Sequence, residues 1–402
     1  TKYFLERVDK TTNYLIYAPF PKPDVRDNHL EDTMLYSRRF FADRASLLSV
    51  DLGIEEKYKP VIQKYIKIFG AKDRTQKFYD LEIENFTKES IEVALMSVLC
   101  KTRTASFDEV LRVVLTEDDL EDNRFLVELA KYDLLPAFWR LCEEQLGYTD
   151  VKPTLEKLVV TMFVTYTQRY LQGELPPAWK SFVSYKSGNI IAFLDNLMNN
   201  VLYQERYDEL SDYVARNLQA KTTLESYNPE SLIQCDTFKV IDHVFIKWIA
   251  ERLLSEDLGA TLSGKSLSEI CKDRRKRHFG DRYRSEYHML ESASYVIAAA
   301  SYQSRDDIKD IVKQYTSNDY QIDQQYRKFY YNYDQLNENS HFEKLRDLVE
   351  NIYTNEFLAK SVYNWNVGLK KADPSSPMPL QLNFYSKYIQ SSNDRVVVIL
   401  SD

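Results

Sequence analysis

Residues 55–70 (EEKYKPVIQKYIKIFG) predict an amphipathic helix and indicate the class of the fold. Their apolar side chains recur at intervals of three and four residues, the spacing of one helical face, at Tyr58, Val61, Ile62, Tyr65, Ile66 and Phe69. Gly70 follows directly, in a position where helices commonly end. We therefore expect one helix over residues 55–69.

The same kind of pattern recurs along the chain, because turn-forming residues are scarce. The 402 residues include only 9 Gly and 12 Pro, whereas average usage is about 7% and about 5%. Two capping boxes, Ser106 with Glu109 and Ser266 with Glu269, predict further helix starts. No fixed repeat period connects the helical patterns. We expect a mainly α chain built as an irregular multi-helix array.

Two apolar runs near the ends of the sequence predict strands instead. Residues 13–23 (NYLIYAPFPKP) end in closely spaced prolines, and residues 393–402 (NDRVVVILSD) are apolar at consecutive positions, as in strands buried on both faces. A Pro- and Ser-rich stretch, KKADPSSPMP, precedes the second run and predicts a linker. The expected organisation is a small α/β N-terminal remnant over 1–53, helical domains over 54–225 and 226–369, the linker over 370–379 and a strand within 380–402.

Bulk properties limit the partners and the compartment. The formal net charge of -8 argues against a protein that coats nucleic acid or anionic membrane through its net field. No apolar run reaches the roughly 18 residues that a membrane span needs, and no signal peptide opens the sequence. We expect a cytoplasmic protein with no membrane partner. The cysteines have no CxxC spacing and are expected to be reduced, structural thiols; they are Cys100, Cys142, Cys235 and Cys271.

The strongest local charge feature is the basic segment, residues 272–284 (KDRRKRHFGDRYR). It carries seven Lys or Arg against Asp273 and Asp281. A cationic face of this kind can neutralise phosphates, and the candidate nucleic-acid-binding residues are Arg274, Arg275, Lys276, Arg277, Arg282 and Arg284. The alternative is that the segment docks on an acidic surface of the same protein or of a partner. The sequence leaves both interpretations open.

An aromatic stripe marks a predicted helix further along the chain. Ile322, Tyr326, Tyr330 and Tyr333 fall on one helical face. Such stripes are typical of helix-packing faces, and stacking on nucleobases is the alternative.

Five stretches together resemble the PglZ family, type A, of type-one BREX phage-defence systems. They span nearly the whole sequence and are YLIYAPFPKP from Tyr14, DTMLYSRRFFADRASLL from Asp32, YRKFYYNYDQL from Tyr326, LVENIYTNEFL from Leu348, and SPMPLQLNFYSKYIQSSNDRVVVILSD from Ser376. The last stretch is the most specific, because in the family this strand runs into an Arg-Tyr-Glu-containing motif that opens an alkaline-phosphatase-like domain.

The resemblance implies a metal-dependent phosphatase or phosphodiesterase in the full-length protein, using zinc or another divalent metal. Asp402 would correspond to the first metal-ligating Asp, and no other catalytic residue can be carried over. Because a catalytic zinc normally takes three protein ligands, we expect this chain to hold no cofactor and to be inactive alone. Both of its ends look internal to a longer protein.

The resemblance also implies a role for the helical part. It is expected to act as a scaffold and protein-interaction region that docks other BREX components, including BrxB, and positions the hydrolase. The alternative is a nucleic-acid-binding helical region that presents DNA to the hydrolase domain.

Overall fold

A computed structural model describes residues 2–19, 21–38, 40, 43–372 and 381–399. The fold is mainly α, as predicted, and the strands within the described ranges are confined to one two-residue pair. The chain divides into two compact units, residues 1–158 and residues 159–402. The boundaries predicted after residues 53, 225 and 369 do not coincide with this division and remain predictions.

The helices of the first unit are α1 (Glu31–Tyr36), α2 (Arg44–Asp51), α3 (Lys59–Lys64), α4 (Lys72–Asp80), α5 (Lys88–Cys100), α6 (Phe107–Leu115), α7 (Arg124–Lys131) and α8 (Leu135–Leu146). Helices α4, α6 and α7 pack against α5. All side chains over residues 91–100 of α5 are buried, because nearly every position there is apolar or small. Thr87 caps the helix by accepting a hydrogen bond from the Ser90 amide.

The second unit contains the remaining helices. They are α9 (Leu155–Tyr170), which begins just before the division, α10 (Ser187–Asn199), α11 (Gln204–Asn217), α12 (Ala220–Leu224), α13 (Pro229–Leu232), α14 (Lys239–Leu254), α15 (Leu267–Arg274), α16 (His278–Arg282), α17 (Arg284–Ala299), α18 (Ile308–Gln314), α19 (Tyr320–Asp334), α20 (Glu343–Asn351) and α21 (Ala359–Lys371). Helix α17 lies at the centre of this unit, packed against α14, α15, α19 and α20.

Two π-helical segments join helices of the second unit end to end. Tyr315–Asp319 connects α18 to α19, and Ile352–Leu358 connects α20 to α21. Further π-helical turns are Phe4–Val8 and Tyr385–Ile389, and 3₁₀ turns are Glu56–Tyr58, Ile68–Gly70, Pro177–Phe182, Asn339–Phe342 and Gln381–Asn383. A π-helical turn widens the helix locally and turns the side chains after it.

The pair of short strands forms a hairpin that the sequence analysis did not predict. Thr261–Leu262 (β1) pairs antiparallel with Lys265–Ser266 (β2). Ser263 and Gly264, between them, both have positive φ, at 49° and 76°, which is the conformation of the tightest hairpin turn. The hairpin ends at Ser266, which is the N-cap residue of α15.

Four predicted elements differ from the structure, in whole or in part. The helix expected over residues 55–69 is shorter in the structure. Helix α3 ends at Lys64, the chain turns there, and residues 68–70 form a separate 3₁₀ turn. The strand expected within 13–23 is wrong for the described residues, which form no regular structure; Leu15 and Tyr17 are 68% and 83% exposed. An apolar run forms a strand only when a neighbouring strand pairs with its backbone, and no strand among the described residues pairs with this one.

The same physical reason applies at the other end. Residues 395–399 form no strand, and Val397 and Ile399 are 76% and 86% exposed. The predicted linker also begins inside α21, because Lys370 and Lys371 are helical; its residues 373–379 lie outside the described part of the chain.

Candidate functional site

The basic segment surrounds a buried ion pair. Arg274, at the end of α15, is 1% exposed and donates from Nε and Nη2 to the two carboxylate oxygens of Asp242, both at 2.8 Å. Its Nη1 donates to the carbonyl oxygen of Cys235 at 2.7 Å. Burial opposes its charge, but the Asp242 carboxylate raises the pKa of Arg274 above its ordinary value. The prediction that Arg274 contacts nucleic acid is therefore wrong, because its donors face inward.

Asp242 is the acceptor at the centre of this arrangement. It lies on α14, is 0% exposed, and accepts a third hydrogen bond from the Tyr287 hydroxyl at 2.6 Å. The guanidinium of Arg274 also lies over the Phe245 ring, 4.9 Å from its centroid. Helices α14, α15 and α17 are thus joined through one carboxylate.

A second carboxylate holds the start of α16. Asp236 is 8% exposed and accepts from the backbone amides of His278 at 2.7 Å and Phe279 at 3.4 Å. These amides have no partner inside the helix, so the carboxylate supplies one. Burial raises the pKa of Asp236, against the opposing charge of Arg274.

Asp208, on α11, completes the set of acidic partners. It is 4% exposed, lies 2.5 Å from Nε2 of His278, and pairs with Arg282. Two residues of the basic segment therefore meet one carboxylate that lies far away in the sequence.

Gly280 allows α16 to approach the end of α15. A Cβ atom placed on Gly280 would lie 1.8 Å from the carbonyl oxygen of Arg274 and 3.3 Å from the Oδ1 atom of Asp242. No real side chain tolerates the first distance. The φ angle of Gly280 is not in the left-handed region, so backbone conformation does not require glycine here. Glycine is required because the two helices approach closely at this position.

The other cations of the segment are also paired. Arg275 donates to Glu291 at 2.7 Å, and Arg277 donates to the carbonyl and side-chain oxygens of Gln234 at 2.8 and 2.7 Å. Lys276 lies 3.9 Å from Asp273 and keeps 78% of its side chain exposed. Arg284 pairs with Asp281 within the segment.

These contacts favour one of the two interpretations left open by the sequence. Much of the basic segment docks on an acidic surface of the same protein. The acidic partners were missed by the sequence analysis, although Asp242 carries a signal. It shares a helical face with Phe245 and Ile249, both buried, and a carboxylate on an apolar face requires a buried donor.

The predicted aromatic stripe is a packing face. Ile322, Phe329 and Tyr333 are buried, and α19 packs extensively against α17. Tyr326 stacks on Tyr353 with ring centroids 3.7 Å apart. The side chains of this face therefore pack against other helices of the protein, and the ring of Tyr326 stacks on a protein ring.

A groove of about 440 Å³ lies among the last helices of the second unit. Its lining residues are mostly aromatic or aliphatic: Tyr302, Ile311, Val312, Tyr315, Phe357, Leu358, Val362 and Trp365, with Asp319, Asp323 and Ser361 as polar groups. Both π-helical segments that join helices here contribute side chains to it. An apolar concavity of this size with few polar groups is typical of a binding site.

The remaining predicted site features concern metals and thiols. Asp402, the expected metal ligand, lies outside the described residues. Within the described ranges, no three His, Cys, Asp or Glu side chains are grouped so as to hold a metal ion. The four cysteines are buried and unpaired, as predicted, and burial raises the pKa of Cys100, Cys235 and Cys271 to about 12. No helix in the described part of the chain is long and apolar enough to cross a membrane.

Comparison with known proteins gives two relatives. The chain is 30% identical over 417 residues to an alkaline phosphatase-like protein named PglZ from Bacillus cereus (strain H3081.97), covering 100% of this chain and 48% of that protein. It is 26% identical over 436 residues to an alkaline phosphatase-like protein named BrxZ from Escherichia coli O9:H4 (strain HS), covering 99% of this chain and 49% of that protein. No protein-family model and no solved structure matches the chain.

The fold and the similarities define a mainly helical relative of alkaline phosphatase-like proteins. The chain spans about half the length of the curated relatives it matches. Similarity over its whole length to both relatives supports a protein of the PglZ family.

Proposed function

We propose that this chain is the scaffold and protein-interaction region of a PglZ-like BREX phage-defence protein in the cytoplasm. The full-length protein would act as a metal-dependent phosphatase or phosphodiesterase, with zinc or another divalent metal, and Asp402 would be one of its metal ligands. The observation that carries this proposal is the similarity of the entire chain to about half of each alkaline phosphatase-like relative.

Two structural features support an interaction role. The ion pairs of the basic segment fix helices α14 to α17 as a packed unit, which gives a scaffold its rigidity. In addition, the groove lining leaves apolar side chains exposed, with Val362 of α21 at 49% and Leu358 of the preceding π-helical segment at 38%. Exposed apolar patches next to a concavity are typical of protein-binding surfaces.

A pull-down tests the interaction role. The chain, immobilised through a terminal tag, is incubated with each purified protein encoded in the same operon, BrxB among them. We expect at least one to be retained. Retention of none by a sample with a cooperative unfolding transition would overturn the proposal.

DNA binding is the second candidate, and the exposure of part of the basic segment favours it. The side chains of Lys272, Lys276 and Arg284 are 54%, 78% and 65% exposed. If these cations contact phosphates, affinity for duplex DNA should fall steeply with salt, and Lys276→Glu should reduce the slope of that dependence by about one. Affinity that is insensitive to both changes would exclude this role.

A further inference from the structure

Helix α21 presents a regular apolar stripe beside the groove. Leu358, at the end of the π-helical segment, is followed by Val362, Trp365 and Leu369 at intervals of four, three and four residues, so all lie on one face. Leu358, Val362 and Leu369 are 38%, 49% and 37% exposed. A stripe with this spacing at the surface is typical of a helix that packs against another helix.

The neighbouring face of α21 is already occupied by its own unit. A Cβ atom on Gly368 would lie 2.9 Å from Cδ1 of Ile311, so α21 and α18 are in close contact. Asn364, 6% exposed, accepts from the Tyr302 hydroxyl and from the Arg305 amide, both at 2.8 Å. The inner face therefore fixes the helix, and the apolar stripe next to it remains at the surface.

The groove is also acidic. Asp319 and Asp323 lie one helical turn apart, and both line it, whereas no Lys, Arg or His is among its described lining residues. Asp323 accepts from the hydroxyls of Tyr315 at 2.5 Å and Tyr353 at 2.8 Å, and Asp319 accepts from Gln314 at 3.0 Å. These donors are neutral, so the negative charge of the groove is not balanced within its lining.

We propose that this groove receives an amphipathic helix of a partner protein, which carries aliphatic side chains at i, i+4 and i+7 and Lys or Arg beside them. The inference rests on the interaction role proposed above and names its surface. The aliphatic side chains pack on Leu358, Val362 and Trp365, and the cations face Asp319 and Asp323. Charge complementarity selects this occupant over an acidic or uncharged helix.

The test measures the affinity of the immobilised chain for the operon protein that it retains. Val362→Glu places a charge in the stripe and is expected to weaken binding about tenfold or more. Leu358→Glu repeats the test at a second exposed position of the groove lining. Asp319→Lys is expected to weaken binding several-fold at low salt and less at high salt. Matched controls are Val151→Glu, at a side chain of the first unit that is 98% exposed, and Asp334→Lys, at the far end of α19, which should both bind like the wild type.

The outcomes separate this inference from the proposed function. If the wild type retains no component, the interaction role itself fails. If the wild type retains one and the groove variants bind it equally well, the groove inference is overturned while the interaction role stands. The same result is expected if the groove takes a small molecule. Thermal unfolding of each variant identifies any loss of affinity that comes from misfolding, and the two Glu variants must agree.

Discussion

A buried carboxylate accepts hydrogen bonds from an arginine in each compact unit, Glu92 in the first and Asp242 in the second, but only the second arginine is itself buried. Glu92 in the first unit is 2% exposed and accepts from Arg140, whose side chain is 34% exposed, at 2.8 Å. Asp242 in the second unit is 0% exposed and accepts from Arg274, 1% exposed, through two bonds of 2.8 Å. In the first pair the arginine is partly accessible to solvent, and in the second pair both side chains are buried.

The supporting contacts differ in the same way. Arg140 also pairs with Glu144 at the surface, at 2.6 Å, so it retains a partner if Glu92 is removed. The third nitrogen of Arg274 donates to a backbone carbonyl, and the other carboxylate near it, Asp236, lies 3.7 Å away. Because Arg274 is buried, water can replace Asp242 only if the core opens. The comparison indicates that the cost of breaking a buried ion pair depends on whether the partner left behind can be hydrated.

The largest effect is expected for Asp242→Ala. This change removes both hydrogen bonds that the buried guanidinium of Arg274 makes to a carboxylate and leaves only Asp236, 3.7 Å away, as a counter-charge. It should lower the free energy of unfolding by about 3 kcal/mol. Urea unfolding followed by circular dichroism measures the loss.

The double variant Asp242→Leu with Arg274→Met is the matched control. It replaces both charges by apolar side chains and should recover much of the lost stability, since such replacements are often neutral. If the double variant is no more stable than Asp242→Ala, the loss of the carboxylate bonded to the buried guanidinium is not what destabilises Asp242→Ala.

Gly280→Ala should have the next largest effect. Its Cβ would overlap the carbonyl oxygen of Arg274, so α15 or α16 must shift and the ion pair must distort, at a cost of about 3 kcal/mol. Gly188→Ala, in α10, is the control: no atom lies within 4 Å of its Cβ position, and alanine there should be neutral or slightly stabilising. Equal thermal midpoints for the two variants would disprove the close-approach argument.

Glu92→Ala should cost less than Asp242→Ala, about 2 kcal/mol, because Arg140 remains partly hydrated and paired with Glu144. The loss comes mainly from the hydroxyl of Tyr65, which donates to Glu92 at 2.9 Å and would be left buried without an acceptor. Adding Tyr65→Phe should therefore recover part of the stability. If Glu92→Ala costs as much as Asp242→Ala, exposure of the arginine is not what distinguishes the two pairs.

The sequence predicted what depends on local pattern. Scarcity of Gly and Pro predicted the helical class, and the capping box of Ser266 and Glu269 is present, with each side chain bonded to the other's backbone amide. The helix start predicted at Ser106 is also confirmed, because Ser106 is the N-cap residue of α6. The box itself does not form there, because the Ser106 side chain makes no cap hydrogen bond and the Glu109 carboxylate accepts from the Thr104 amide. A four-residue pattern does not reveal with which of several nearby amides the side chain will form a hydrogen bond.

What the sequence could not predict depends on distant partners. The basic segment was visible as charge, but Asp242 lies 32 residues before Arg274, and Asp208 lies 70 residues before His278. The two apolar runs at the ends had the composition of strands, but a strand requires a neighbour, which composition does not specify. Local propensity was therefore sufficient for the helices and insufficient for the ion pairs and strands.

The smallest effect concerns Asp236, which is buried beside the Arg274 pair but bonds mainly to backbone amides. Burial raises the pKa of Asp236 in the folded protein, whereas Asp residues of an unfolded chain have a pKa of about 3.9. As the pH falls, the folded protein therefore takes up a proton at Asp236 before the unfolded chain does. This difference stabilises the folded state increasingly at lower pH.

Asp236→Asn removes the titration and keeps an oxygen acceptor for the amide of His278. Urea unfolding of both proteins from about pH 7 to about pH 4.5 should show the wild type gaining stability relative to Asp236→Asn. The opposite trend would mean that the charge of Arg274 outweighs burial at this carboxylate, and Asp236 would then belong to the sealed ion pair rather than to the helix cap.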